Sequence, residues 1–258
     1  MRVSSNQENL NFHAIQLAQW RCKTLNNKTK NITIVALEKK DLNFVEKFVE
    51  KSDLFCYKDN LKQELVNNTI CTIRDILNRT EKAFDKTKMF LAIHEGTPYG
   101  LLVGNVPKKN IDTEQIKYSS RHNPAKNETE LDWLVSWQPR GKRKIKGIGK
   151  ALVGEYFRTV KKDKFRDVFV RSEVPENSYA KDFYESLGFE QMSDKRLKLY
   201  NKNSAQYITL DYGEGNDDTI PMLITRKVLN EIAEYLSKTM MRQEFKRNSI
   251  DAEDLIKI

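Results

Sequence analysis

Cysteine, histidine and proline are scarce in this 258-residue chain, at three, three and six residues, and glycine supplies only ten. Cys22, Cys56 and Cys71 are odd in number and widely spaced, which excludes a disulfide framework or a zinc-binding set. His13, His94 and His122 are equally dispersed, so no metal is expected, and neither Cys56 nor Cys71 has a spaced histidine to make it a nucleophile. No apolar run is long enough to cross a bilayer, and no basic start followed by an apolar stretch resembles a secretion signal. The expectation is a cytoplasmic protein without a membrane partner. The low Gly and Pro content, beside 39% hydrophobic and 31% charged residues, describes an ordered globular chain. It has no internal repeat and no low-complexity tract.

What is present is positive charge. The formal net charge is +9, which fits an anionic partner or a solvated lysine-rich surface. Its placement is more telling. RGKRKIKGIGK (Arg140 to Lys150) is a dense cationic run, and KKDKFR (Lys161 to Arg166) follows it closely.

Residues 1–30 read as a polar N-terminal extension with one apolar patch, Phe12 to Trp20, that fits a short helix or an added strand. The β-branched run Ile32 to Leu37 predicts a strand. Leu42, Val45, Phe48 and Val49 then recur at helical spacing, and Leu61, Leu65, Ile70, Ile73 and Leu77 mark a second helix over about 60–79. Met89 to Glu95 and Leu101 to Val106, split by GTPYG, predict a hairpin. In the strand Glu130 to Trp137, alternation places Glu130, Asp132, Leu134 and Ser136 on one face, and Leu131, Trp133, Val135 and Trp137 on the other. Ile148, Leu152, Tyr156 and Val160 stripe a helix. Asp167 to Glu173 is a further strand. Asn177 or Ser178 caps the next helix, with Ala180, Phe183, Tyr184 and Leu187 inward and Gly188 at its end. FEQM (Phe189 to Met192) and Tyr207 to Tyr212 supply closing strands. Past the linker Gly213 to Asp218, Thr225 to about Phe245 predicts one amphipathic helix striped by Val228, Leu229, Ile232, Leu236 and Met240. That stripe suits docking on the parent domain or a homodimer contact.

Chemistry concentrates at the glycines. Gly147 and Gly149 let the backbone turn tightly and present bare amides where a helix begins, an arrangement that holds a pyrophosphate. A dinucleotide fingerprint would need a small residue where Leu152 stands. A P-loop would need Gly at Lys144 and Ser or Thr at Ala151. Both alternatives fail on those residues.

From about Ile32 to Tyr212 the chain resembles the GCN5-related N-acetyltransferase (GNAT) family. Lys144, Gly147 and Gly149 occupy the places of its acetyl-CoA loop, with Lys144 standing where Gln or Arg is usual and Arg143 adjacent. Asn177, Ala180, Phe183, Tyr184, Gly188 and Phe189 match the family's later helix and strand. The resemblance implies an α/β fold of α+β type, a mixed, mostly antiparallel sheet flanked by helices. It also implies three segments: the extension 1–30, an acetyltransferase domain 31–213 and a C-terminal helical extension 214–258.

The same resemblance implies acetyl-CoA as co-substrate and direct transfer of the acetyl group to a primary amine. Tyr184 is then the general acid at the coenzyme sulfur, and Glu130, with Asp132 as its rival, is the base. Backbone groups of Ser136 and Trp137 hold the pantetheine arm. Arg143, Lys144, Lys146, Gly147, Ile148, Gly149 and Lys150 cradle the phosphates, and Asn177 and Ala180 touch the coenzyme from the second helix. The amine acceptor is a small molecule, a protein or an aminoacyl-tRNA. The competing classes are a non-catalytic acyl-CoA-binding module and a nucleic-acid-associated regulatory protein.

Overall fold

The computed structural model describes residues 13–37, 41, 67, 70–71, 74, 87–105, 128–137, 142–162, 167–173, 178–191, 219–245 and 249–251. Its strands are β1 (His13–Thr24), β2 (Thr29–Leu37), β3 (Thr87–His94), β4 (Thr97–Asn105), β5 (Glu128–Ser136), β6 (Ile145–Lys146), β7 (Asp167–Glu173), β8 (Glu190–Gln191), β9 (Thr219–Thr225), β10 (Gln243–Glu244) and β11 (Ser249–Asp251). The helices are α1 (Ile148–Lys162), α2 (Ser178–Glu185) and α3 (Arg226–Thr239). The strands join in the order β10-β1-β2-β3-β4-β5-β7-β9-β8. Every neighbouring pair is antiparallel except β5 and β7, which run parallel because α1 crosses over between them. This is the mixed, mostly antiparallel sheet flanked by helices that the sequence predicts.

From His13 on, the predicted apolar patch is a strand. From Ala18 onward β1 alternates, with Ala18, Trp20, Cys22 and Thr24 buried. A bulge between Gln16 and Ala18 inserts Leu17 and breaks the alternation, which is why the pattern fits neither period cleanly. The β3–β4 turn is Glu95–Gly96, with φ of 48° and 72°. A two-residue loop with both angles positive matches the strand twist. β4 therefore begins at Thr97 rather than Leu101, and Pro98 is tolerated in it because the register shifts there. Helical residues at Asn67, Ile70, Cys71 and Arg74 fall in the stretch predicted as the second helix, with Ile70 buried. The predicted helix at 42–49, the strand Tyr207 to Tyr212 and the linker Gly213 to Asp218 lie outside the described residues.

The segment beyond 214 holds more than a helix. β9 lies between β7 and β8 and pairs with β7 from Thr219 to Thr225. After α3 the chain turns at Met241 (φ 45°), where Arg242 N–H reaches Ser237 C=O at 2.8 Å. This left-handed closure ends the helix and sends β10 and β11 back to β1. The free edge of β1 thus meets β11 at His13–Ile15, β10 at Ala18–Gln19 and β6 at Lys23–Thr24, end to end.

Ile148, Leu152, Tyr156 and Val160 are all buried, as the stripe predicts, but so are Ala151, Val153, Glu155 and Phe157. α1 is enclosed because the sheet lies under it and α3 packs over it. Glycines permit the close approach: a Cβ at Gly104 would sit 2.5 Å from the Tyr156 ring, and one at Gly154 2.6 Å from Trp20. Glu155 is the acid buried within α1. Its oxygens take Arg242 Nε and Nη2 at 2.8 Å each and Trp20 Nε1 at 3.1 Å. The two charged side chains keep 6% and 5% of their surface, so the pair is desolvated and stands only while each partner satisfies the other.

Arg242→Met should destabilise the fold by about 3–5 kcal/mol, since it strands a buried carboxylate. Adding Glu155→Met should recover a large part of that loss. Urea unfolding of the two single variants and the double variant measures the cycle, and additive losses would contradict a coupled pair.

Candidate functional site

Two parallel strands make an opening where their pairing stops. β5 and β7 are registered from Glu128↔Asp167 to Leu131↔Val170 and no further, although β5 continues to Ser136 and β7 to Glu173. Their C-terminal ends therefore leave peptide groups without a strand partner across the gap. α1 begins at that end of β5.

The pairing of β5 with β4 decides which groups face the gap. Trp137 N–H donates to Tyr99 C=O at 3.0 Å, which makes the flanking Gly100–Ser136 rung a non-hydrogen-bonded one. By alternation, the peptide groups of Leu134 and Ser136 turn away from β4 toward the gap, and those of Val135 and Trp137 turn to β4. The Trp137 indole is engaged as well, donating to Pro98 C=O at 2.9 Å. Of the two backbone positions expected to hold a pantetheine arm, Ser136 faces the gap and Trp137 is committed to β4. The peptide group of Leu134, to which the sequence reading gave no role, also faces the gap. Only the rung register reveals this.

A bulge also interrupts β5. The pairing passes from Val103↔Trp133 to Gly104↔Leu131, leaving Asp132 as the extra residue. Leu131 and Leu134 consequently join the same core cluster under α1, so the unbroken alternation expected from Glu130 to Trp137 does not hold. The carboxylates of Glu130 and Asp132 lie outside the described side chains, as does the whole of Asn177.

The turn into α1 is built as the glycines predict. Gly147 has φ +90°, a conformation that L side chains rarely adopt, and a Cβ there would meet Met240 Cε at 3.3 Å and Cys22 Sγ at 3.7 Å. Burial pushes the Cys22 thiol up to about 12, so it stays protonated beneath the turn. Ala151 N–H bonds Gly147 C=O at 2.9 Å, and the amides of Ile148, Gly149 and Lys150 have no partner within the helix. Ile148 is buried, Gly149 and Lys150 are half-buried, and Arg143, Lys144 and Lys146 are exposed around them. Bare amides, the positive helix end and mobile cations together suit phosphate oxygens.

α2 closes the other side. A Cβ on Gly149 would lie 3.2 Å from the Phe183 ring and 3.9 Å from Leu134 Cδ2, so the first turn of α1, β5 and α2 converge at one point. Tyr184 follows Phe183, is 8% exposed and stacks edge-on between Phe183 and Phe189, with centroids 5.4 and 5.5 Å away. Its carbonyl accepts Leu187 N–H at 3.0 Å and Phe189 N–H at 3.1 Å, and Gly188 at φ +79° ends the helix. Ala180 lies half-buried one turn earlier. The structure thus gathers Gly147 to Lys150, Ser136 and the Phe183–Tyr184 turn about one gap.

A cavity of about 530 Å³ lies elsewhere, lined by β1, β2 and the β3–β4 turn. Among the described residues, no group of three or more His, Cys, Asp or Glu could hold a metal, and no helix is long and apolar enough to cross a membrane.

Several solved structures are similar to this chain. Coenzyme A-bound PaiA N-acetyltransferase from Thermoplasma acidophilum has a TM-score of 0.45 at 16% identity, covering 75% of this chain and 98% of its own. The ribosomal-protein-S18-alanine N-acetyltransferase of Escherichia coli has a TM-score of 0.41 at 18% identity, covering 75% and 93%. A GNAT-family acetyltransferase from Streptococcus pneumoniae scores 0.41 at 13% identity, covering 75% and 98%. All three are acetyltransferases. No protein-family model matches the chain, and no curated protein does.

Gly147→Ala should cost about 1–3 kcal/mol, because alanine must hold a left-handed backbone. Urea unfolding reads this directly; wild-type stability would mean the turn relaxes to an ordinary conformation.

Proposed function

We propose that the chain is an N-acetyltransferase of the GNAT type that takes acetyl-CoA in the gap between β5 and β7 and passes the acetyl group to a primary amine. One observation carries this reading: parallel pairing ends at Leu131↔Val170, and the gap so formed is met by a helix whose first turn is the Gly147–Gly149 bend.

The coenzyme supplies an activated acetyl thioester. The amides of Ile148, Gly149 and Lys150 receive its diphosphate, and Arg143, Lys144, Lys146 and the Lys150 side chain neutralise phosphate charge from the rim. Gly147 lets the chain bend close enough, and a side chain at Gly149 would crowd Phe183 and Leu134 where the first turn of α1 meets α2 and β5. Peptide groups of Leu134 and Ser136 extend β5 toward the pantetheine amides, where fixed dipoles polarise the thioester carbonyl without reorganising. Ala180 on α2 and, by resemblance, Asn177 contact the coenzyme.

Transfer needs a base for the amine and an acid for the departing sulfur. Glu130 takes the amine proton, directly or through water, with Asp132 as the alternative. The amine nitrogen bonds to the carbonyl carbon, the carbon–sulfur bond breaks, and the Tyr184 hydroxyl protonates the thiolate. Tyr184 suits this role because two aromatic rings, Phe183 and Phe189, fix its position. The acceptor is an amine on a small molecule, a protein or an aminoacyl-tRNA; the compartment expected for such a reaction is the cytoplasm.

Acetyl-CoA at about a hundred times its dissociation constant should add roughly 2.7 kcal/mol to the folded state. Thermal melting with and without it should show a clear rise in midpoint, and none would sink the proposal. Tyr184→Phe should keep that rise while lowering turnover by about 10²–10⁴-fold, measured as thiol release over a panel of amines. Gly147→Glu should lose both signals.

A further inference from the structure

The sheet face turned away from α1 carries a surface of which the acyl-transfer reading uses Lys146 alone. On β1, Gln19, Arg21 and Lys23 occupy alternate positions, and their direct partners on β2 are Thr33, Asn31 and Thr29. The residues between them, Trp20, Cys22 and Ile32, are buried on the α1 side, whereas Arg21, Lys23, Thr29 and Asn31 are exposed. These three rungs are thus wholly polar, with Arg21–Asn31 and Lys23–Thr29 open to solvent and Gln19–Thr33 half-buried. The floor of the 530 Å³ cavity is made of the same rungs, with Gln19, Thr29, Asn31 and Thr33 in its lining and Lys30, His94 and Glu95 among its other walls.

Two further facts give the surface its sign. Lys23 is paired across the strands with Lys146, and both are exposed. Like charges set directly opposite one another destabilise a sheet, and among the described residues no carboxylate is ion-paired with either. Arg21 likewise has a thioether rather than an acid as its contact, Met241 Sδ at 3.2 Å. The one acid of the cavity, Glu95, is already shared between Lys30 at 3.6 Å and His94 at 3.4 Å. The result is a pair of cations, Arg21 and Lys23, along the edge of a groove whose floor offers carboxamides and hydroxyls.

We infer that this face binds single-stranded RNA, with Arg21 and Lys23 on the phosphates and Gln19, Asn31 and Thr33 hydrogen-bonding sugars and base edges. Alternate residues on a strand stand about 6.6 Å apart, so Arg21 and Lys23 reach successive phosphates of an extended strand. Carboxamides and hydroxyls both donate and accept, which suits the 2′-hydroxyl and unpaired bases. An anionic bilayer needs apolar anchors on the same face, and these three rungs have none. This inference goes beyond acyl transfer and stands without it.

The test is fluorescence anisotropy of the full chain with a labelled RNA of about 16 nucleotides, repeated over a salt series. Wild type should bind, with a log affinity that falls by about 0.7 per neutralised phosphate for each decade of salt. Arg21→Glu combined with Lys23→Glu should weaken binding at least tenfold and flatten the salt slope. Asn31→Ala combined with Thr33→Ala should weaken it with the slope unchanged, which diffuse attraction would not produce. The acetyl-CoA melting response should persist in both, so failure here is separable from failure of the coenzyme site. Wild-type affinity in the charge-reversed variant, no RNA binding by wild type, or binding to phosphatidylserine vesicles in place of RNA would each overturn the inference. Should the charge-reversed chain fail to fold, the Asn31/Thr33 variant decides alone, and unchanged affinity there also overturns it.

Discussion

A single carboxylate holds α1 to segments from both halves of the chain. Glu155 lies inside α1, where Arg242 meets it through two short bonds and the Trp20 indole through a third. Trp20 belongs to β1 and Arg242 follows α3, so the same anion ties the first described strand, the central helix and the C-terminal segment. A buried ion pair of this kind adds little net stability over an apolar core of equal volume, but it penalises every arrangement in which one partner is missing. Its contribution is to make one docking of the C-terminal segment far better than the others.

That docking reaches the proposed site. Met240 ends α3, its carbonyl accepts Arg21 N–H at 2.8 Å, and its methyl group packs against Gly147. Cys22 supports the bend from below and β6 pairs with Lys23–Thr24 just before it. The bend is therefore framed by segments that sequence reading assigned to the N- and C-terminal extensions. The sheet itself crosses the segment limits at 30/31 and 213/214, taking β1 from one side and β9 from the other.

What was legible in the sequence shares one property: the signal is local. Gly147, Gly149 and Gly188 announce backbone turns, the apolar stripe announces α1, and Gly96 between two apolar runs announces a hairpin. What stayed hidden depends on partners distant in sequence. Leu17 and Asp132 are bulged residues, each of which resets the strand period where a pattern argument assumes continuity. The commitment of Trp137 to Tyr99 follows from rung register, which no single strand displays. TIPMLIT (Thr219 to Thr225) sits beside a predicted linker and helix, and only pairing with β7 makes its place in the sheet evident. The positions of the candidate base and of Asn177 belong to stretches whose side chains are not described, so those roles still rest on resemblance.

The way the rim of β1 is filled has a consequence for folding. β10 and β11 are remote from β1 in sequence, so until they dock the outer edge of β1 is left uncovered along most of its length. Such an edge is a template for another strand, and closure between segments so far apart in the chain slows the search. The folding polypeptide must keep this hydrogen-bonding rim from self-association until β10 and β11 cover it.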